Sequence, residues 1–168
     1  PQLNIDKVYD AIVLGIKDYF SKMGFTKAIV GSSGGVDSAV TIALACKALG
    51  SENVRAILMP SQYSSSHSIE DAKKLSLNFG NPYDIISIKD IYESFLSTLK
   101  PIFKDLPFSL AEENIQSRAR GTLLMAIANI PQMQQRYQGL GVGLLWLIQY
   151  GPWQDPELVR YTSHPVEM

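Results

Sequence analysis

Hydroxyls at Ser32, Ser33 and Ser38, a carboxylate at Asp37 and paired glycines at Gly34 and Gly35 crowd into one short stretch. The apolar run Ala28-Ile29-Val30 leads into it through Gly31, and a helix-forming run opens at Val36. A strand, a tight glycine turn and a helix N-terminus in that order make an anion cradle, because the turn's N–H groups converge and the helix dipole adds positive charge. The glycines permit positive φ and close approach of a ligand to the backbone. The serine hydroxyls are further donors, and Asp37 is a hard oxygen ligand suited to Mg²⁺. The turn has no lysine, which excludes the G-x-x-x-x-G-K-[ST] loop of ordinary nucleoside triphosphatases.

A second group lies on the helix predicted from the capping box Ser109-Leu110-Ala111-Glu112. Asn114, Ser117, Arg118 and Gly121 share a face at spacings of three, four and seven. Spacing alone leaves two readings open there. The face is either a docking surface for an anionic, hydrogen-bonding ligand, or a solvated one with pairs such as Glu113 with Ser117. A third stretch, Pro60 to His67, is rich in hydroxyls. No Ser-His-Asp or Cys-His arrangement is evident, and His67 and His164 read as surface residues.

The elements that must position these groups follow from periodicity. Residues 6–22 predict an amphipathic helix with Val8, Ile12, Ile16 and Phe20 inward, capped by Gly24. Lys27 to Gly31 predicts a buried strand, Val36 to Leu49 an alanine-rich helix ended by Gly50, and Val54 to Met59 a second strand. Ser68 with Asp71 is expected to cap a helix reaching Phe79 and Gly80. Tyr83 to Ile88 predicts a third strand, and Ile91 to about Leu99 a helix disturbed by Pro101. This alternation implies an α/β fold, a mostly parallel sheet with helices on both faces. Ligands bind such sheets beyond the carboxyl ends of the strands, near a topological switch point, so the glycine turn and the serine loop should share one edge.

With 168 residues, 46% hydrophobic and 18% charged, the chain is long enough for one globular domain with a real core. A net charge of −1 offers no general grip on nucleic acid or membrane. The single cysteine, Cys46, sits in an apolar helical run and reads as a core residue. No signal peptide is evident at the start, and Leu140 to Ile148 is too short to cross a bilayer. The expectation is an intracellular, cytoplasmic protein.

Ser33-Gly34-Gly35-Val36-Asp37-Ser38 resembles the S-G-G-x-D-S signature of the PP-loop ATP pyrophosphatases. Ala111-Glu112-Glu113-Asn114-Ile115-Gln116-Ser117-Arg118-Ala119-Arg120-Gly121 is similar to the A-E-E-N-x-Q-x-R-x-R-G segment of NAD synthetases, and Met59-Pro60-Ser61-Gln62-Tyr63-Ser64-Ser65 to their M-P-S-x-Y-S-S stretch. The motifs match the glutamine-dependent branch, whose amidase domain is N-terminal to the synthetase. The resemblance implies an adenine nucleotide alpha hydrolase-like (PP-loop) three-layer sandwich over residues 1–129. It also implies an ATP-dependent ligase that adenylates the carboxylate of nicotinic acid adenine dinucleotide (deamido-NAD) and then forms NAD with ammonia, releasing AMP and pyrophosphate.

Carried over by position, Gly31, Ser32, Ser33, Gly34, Gly35, Val36, Asp37 and Ser38 would bind ATP phosphates, and Asp37 would hold Mg²⁺. Leu58, Met59 and Ser61 would lie near the adenosine, and Asn114 and Arg118 would meet deamido-NAD. The nitrogen would come from ammonia or a glutamine amidase, and the family forms a homodimer. Residues 130–168 are expected to form a segment without family match, packed on or trailing from the same domain. They carry no T-G-N-K-S-E-type loop, the second ATP and Mg²⁺ element of the family, and Gly139-Leu140-Gly141-Val142-Gly143 is a weak glycine pattern. Two alternatives remain from the sequence: another PP-loop ATP pyrophosphatase, such as a GMP synthetase or a tRNA-modifying thiolase, or a catalytically silent nucleotide-binding module.

Overall fold

Three short apolar runs build the frame. In the computed structural model, which describes residues 4–104 and 110–129, β1 (Ala28–Ser32), β2 (Val54–Leu58) and β3 (Tyr83–Ile85) form a three-stranded parallel sheet in the order β1-β2-β3. β1 is buried along its whole length, as expected of a strand covered on both faces. The register pairs Ala28 with Val54 and Ser32 with Leu58, then Ala56 with Tyr83 and Leu58 with Ile85. The loops after β1 and β2 therefore leave the same edge of the sheet, as the alternation predicts. Arg55 and Asp84 tie β2 to β3 with a bidentate pair, one contact being 3.0 Å from Nη2 to Oδ1.

Side-chain alternation divides the core in two. On one face Ala28 and Val30 of β1 with Val54, Ala56 and Leu58 of β2 pack against three helices, α1 (Ile5–Met23), α2 (Val36–Leu49) and α3 (Ser66–Phe79). On the other, Ile29, Ile57, Met59 and Ile88 pack against Leu124 and Ala128 of α5 (Leu110–Asn129). The remaining α-helix among the described residues, α4 (Lys89–Phe103), lies beside α5. Helices cover both faces, giving the three-layer α/β arrangement anticipated from sequence. Cys46 is buried on the first face, and burial pushes its thiol up, Glu52 adding to this while the Ser51 side chain opposes it. Among the described residues no helix is long and apolar enough to cross a membrane.

Several local expectations need correction. The buried stripe of α1 is Val13, Ile16 and Phe20, while Val8 and Ile12 are 36% and 43% exposed. A row of every fourth residue drifts by about 40° per step on a helix of 3.6 residues per turn, so its early members leave the core face. Gly24 does cap this helix in the left-handed conformation, at φ 71°. The N-cap of α3 is Ser65, whose hydroxyl accepts from Ser68 N at 3.1 Å, so Ser68 stands inside the helix and the Ser68–Asp71 box is not formed. β3 ends at Ile85, although Ile86 and Ile88 still donate to Leu58 and Pro60 carbonyls at 2.8 and 3.0 Å. Finally, α4 begins at Lys89 and runs through Pro101 to Phe103. The proline sits in the last turn, where its missing N–H would have faced the carbonyl of exposed Ser97. Ser109, His164, the glycine pattern and the segment from residue 130 onward lie outside the described residues.

Candidate functional site

The glycine turn closes on itself through its serines. Ser33 N donates to Ser38 Oγ at 3.3 Å, the two hydroxyls lie 3.1 Å apart, and Ser38 Oγ donates to Gly35 O at 2.9 Å. Gly35 N donates to Ser33 Oγ at 3.2 Å. These bonds hold the loop as a tight hook ahead of α2. Gly35 is the N-cap of α2 and contributes no side chain, so the helix has no side-chain cap to take its first N–H groups. Gly34 has φ 82°, and a Cβ there would stand 2.8 Å from the carbonyl carbon of Ser68. The turn is thus pressed against the first turn of α3, which only glycine allows.

Beside the hook lies an open cleft of about 190 Å³. Its walls are Ser32 at the end of β1 with Ser33 after it, Leu58 and Met59 at the end of β2, the start of α3, and Ser117 and Arg120 of α5. Ser32 Oγ is buried without a hydrogen-bond partner among the described residues. Arg120 Nε donates to the Met59 carbonyl at 3.1 Å, across the mouth of the sheet. The arrangement offers backbone and hydroxyl donors, which is chemistry for an anionic ligand with an apolar moiety against Leu58 and Met59.

Of the residues singled out by sequence, Ser32, Ser33, Leu58 and Met59 line this cleft. Gly34, Gly35 and Ser38 build the hook beside it, with Gly31 buried in β1 and Val36 and Asp37 exposed on the first turn of α2. Ser61 is occupied in its own loop, its N–H donating to Ser64 Oγ at 2.9 Å. The polar face expected on α5 is divided: Ser117 reaches the cleft and Gly121 is buried, whereas Asn114 and Arg118 are exposed outside it. Arg120 was not among the sequence candidates. The available signal was Leu124 and Ala128, which mark the face of α5 that turns to the sheet and on which Ser117 and Arg120 also fall. Among the described residues no group of three His, Cys, Asp or Glu side chains is placed to hold a metal. His67 is exposed, as expected of a surface residue.

A second polar cluster joins α4 and α5. Tyr92 of α4 is fully buried, its ring edge-on to Tyr63 at 6.2 Å, and Glu112 and Gln116 of α5 are each 8% exposed nearby. The Tyr92 hydroxyl has no satisfied hydrogen bond among the described residues. Burial is the main force pushing it up to about 12; the Tyr63 hydroxyl and the Glu112 charge add to this, and the Gln116 amide opposes it. The folded value lies above the ordinary 10, so this contribution to stability is whole below 10 and is lost as pH rises toward about 12. Tyr92→Phe should leave stability at neutral pH within about 0.5 kcal/mol, because the buried hydroxyl gains little. It should also flatten the fall in urea midpoint between about pH 10 and about pH 12. An unchanged alkaline fall in the variant would remove Tyr92 as its source.

The parallel sheet, the lysine-free glycine–serine hook and the cleft at the strand ends define an α/β fold of the PP-loop class. The NAD synthase family model matches residues 8–134, and the chain belongs to that family. It is 54% identical over 129 residues to the glutamine-dependent NAD(+) synthetase of Synechocystis sp., covering 77% of this chain and 23% of that protein. The corresponding Thermotoga maritima enzyme is 45% identical over 124 residues, covering 74% and 22%. The chain thus spans under a quarter of the length of these curated relatives. Among solved structures, the Acinetobacter baumannii glutamine-dependent NAD⁺ synthetase in complex with ADP is similar at TM-score 0.71 and 44% identity, covering 73% of this chain and 23% of that one. The ammonia-dependent NAD synthetase of Campylobacter jejuni is similar at TM-score 0.66 and 28% identity, covering 75% and 52%.

Proposed function

We propose that this chain provides the ATP-facing part of a ligase that amidates deamido-NAD to NAD. The observation that carries the reading is the meeting of the glycine hook and α5 across one cleft, Ser32 and Ser33 on one wall and Ser117 and Arg120 on another. ADP in the Acinetobacter baumannii relative supports an adenine nucleotide as the occupant.

In this reading the nicotinate carboxylate attacks the α-phosphorus of ATP and pyrophosphate leaves. Ammonia then adds to the activated carbonyl carbon and AMP departs, leaving the amide. A carboxylate resists direct amination because its own oxygen is a poor leaving group; esterification to AMP removes that barrier. The first-turn N–H groups of α2 and the hydroxyl of Ser32 stabilise the phosphate charge that grows as pyrophosphate separates. Leu58 and Met59 supply the apolar wall for the adenosine, and Asn114 and Arg118 are the substrate-facing residues of α5. Asp37 suits Mg²⁺ as a single carboxylate beside a phosphate cradle, since that ion is commonly held by one or two carboxylates, substrate phosphates and water. When bound, Mg²⁺ neutralises phosphate charge and so makes pyrophosphate a better leaving group. The nitrogen arrives as ammonia, free or released by a glutamine amidase, a reading that the glutamine-dependent and ammonia-dependent relatives support. The same reading gives a homodimer, for which 51% exposed Met125 on α5 is an available contact.

A chimera tests the reading: the matching segment of the Synechocystis enzyme is replaced by this chain's residues. Supplied with deamido-NAD, ATP, Mg²⁺ and ammonia, it should produce NAD and AMP in equal amounts. Nucleotide binding with neither product would instead favour a catalytically silent module.

A further inference from the structure

Arg120 reaches across two elements that resemblance assigns to different ligands. It is carried by α5, the substrate helix, and its Nε donates to the carbonyl of Met59, at the end of the strand that forms the adenosine wall, at 3.1 Å. Among the described residues that line the cleft, it is the one that carries a charge. Met59 itself is 5% exposed and packs in the same cluster as Leu124 of α5. The carbonyl and the apolar side chain of one residue are therefore both held by one helix.

We propose that Arg120 is a positioning residue, fixing the main chain at Met59 against α5 so that the adenosine wall is preformed before nucleotide binds. The inference rests on the nucleotide reading above, and it assigns to Arg120 a role exerted through its ε nitrogen and not through its charge. Preforming the wall removes an ordering cost that nucleotide binding would otherwise bear.

Two substitutions separate nitrogen from charge. Gln places its amide nitrogen the same number of bonds from Cα as Arg Nε, so Arg120→Gln retains the donor and loses the charge. Arg120→Lys retains the charge but puts a methylene at the donor's place. ADP affinity is measured by calorimetry on the native chain and on both variants, with melting recorded on the same samples. Arg120→Gln should bind within about threefold of native, and Arg120→Lys about tenfold more weakly. The reverse order, or equal loss in both variants, overturns the positioning role, as does native affinity in both. Arg120→Ala should match Arg120→Lys; if it does not fold, the Gln and Lys pair still decides. Failure of the native chain to bind ADP overturns the nucleotide reading, whereas native binding with the wrong order of variants overturns the Arg120 role alone.

Discussion

Gly34→Ala should lower the affinity for ADP by about a hundredfold and destabilise the fold by about 3 kcal/mol. The cause is twofold. At φ 82° an L side chain is strained, and the added Cβ would meet the Ser68 backbone, 2.8 Å from its carbonyl carbon and nearer still to its oxygen. Backbone cannot swing aside as a long side chain does, so the hook must move away from α3 or α3 must shift. Either displaces Ser33 and Ser38, whose mutual bonds set the hook's shape. Gly24→Ala is the matched control. It has a similar φ of 71°, but nothing lies within 4 Å of the new Cβ, so it should cost about 1 kcal/mol and leave ADP binding unchanged. Urea unfolding and calorimetry on both variants check the contrast; equal effects would show that torsional strain alone, not the α3 contact, dominates at Gly34.

Asp37→Asn should weaken Mg²⁺-dependent ATP binding by roughly thirtyfold, about 2 kcal/mol, while leaving metal-free binding unchanged or slightly tighter. Asp37 is exposed on the first turn of α2, so the carboxylate makes no packing contribution that its amide would lose. Its negative charge opposes phosphate when no cation stands between them, and attracts the cation when one does. The sign of the effect therefore changes with the metal. Titrations with ATP in Mg²⁺ and in chelator read both arms, and equal affinity of native and variant protein in Mg²⁺ would remove Asp37 from the site.

Much of this fold was legible because β1 and most of β2 are buried. Ala28 to Val30 and Ala56 to Leu58 are continuous apolar runs, and Val36 to Leu49 is bounded by glycines at both ends, so the types and the limits of α2 followed directly; β1 lies one residue beyond the expected Lys27 to Gly31, and β2 ends one residue before Met59. The errors arose where alternatives differ by small energies. Several serines cluster at the start of α3, and each is a competent cap; Ser65 is the one whose hydroxyl accepts from Ser68 N. Pro101 is tolerated because a final turn loses little by lacking one hydrogen bond. The hook was readable from its residue order, since glycine and serine there have few other uses. Arg120 was not, because its partner is a main-chain carbonyl 61 residues away in sequence. A carbonyl leaves no mark in residue identity, so only the packing of α5 on the sheet reveals that contact.

Amide chemical shifts on titration with ADP test the central claim most directly. The account predicts the largest changes at Gly34, Gly35, Asp37 and Ser38, with a second group at Leu58 and Met59, and smaller ones at Ser117 and Arg120. These positions border one cleft and its glycine hook. Saturable changes confined to other parts of the chain, or no change as ADP is raised to millimolar levels, would contradict a nucleotide site formed by this hook.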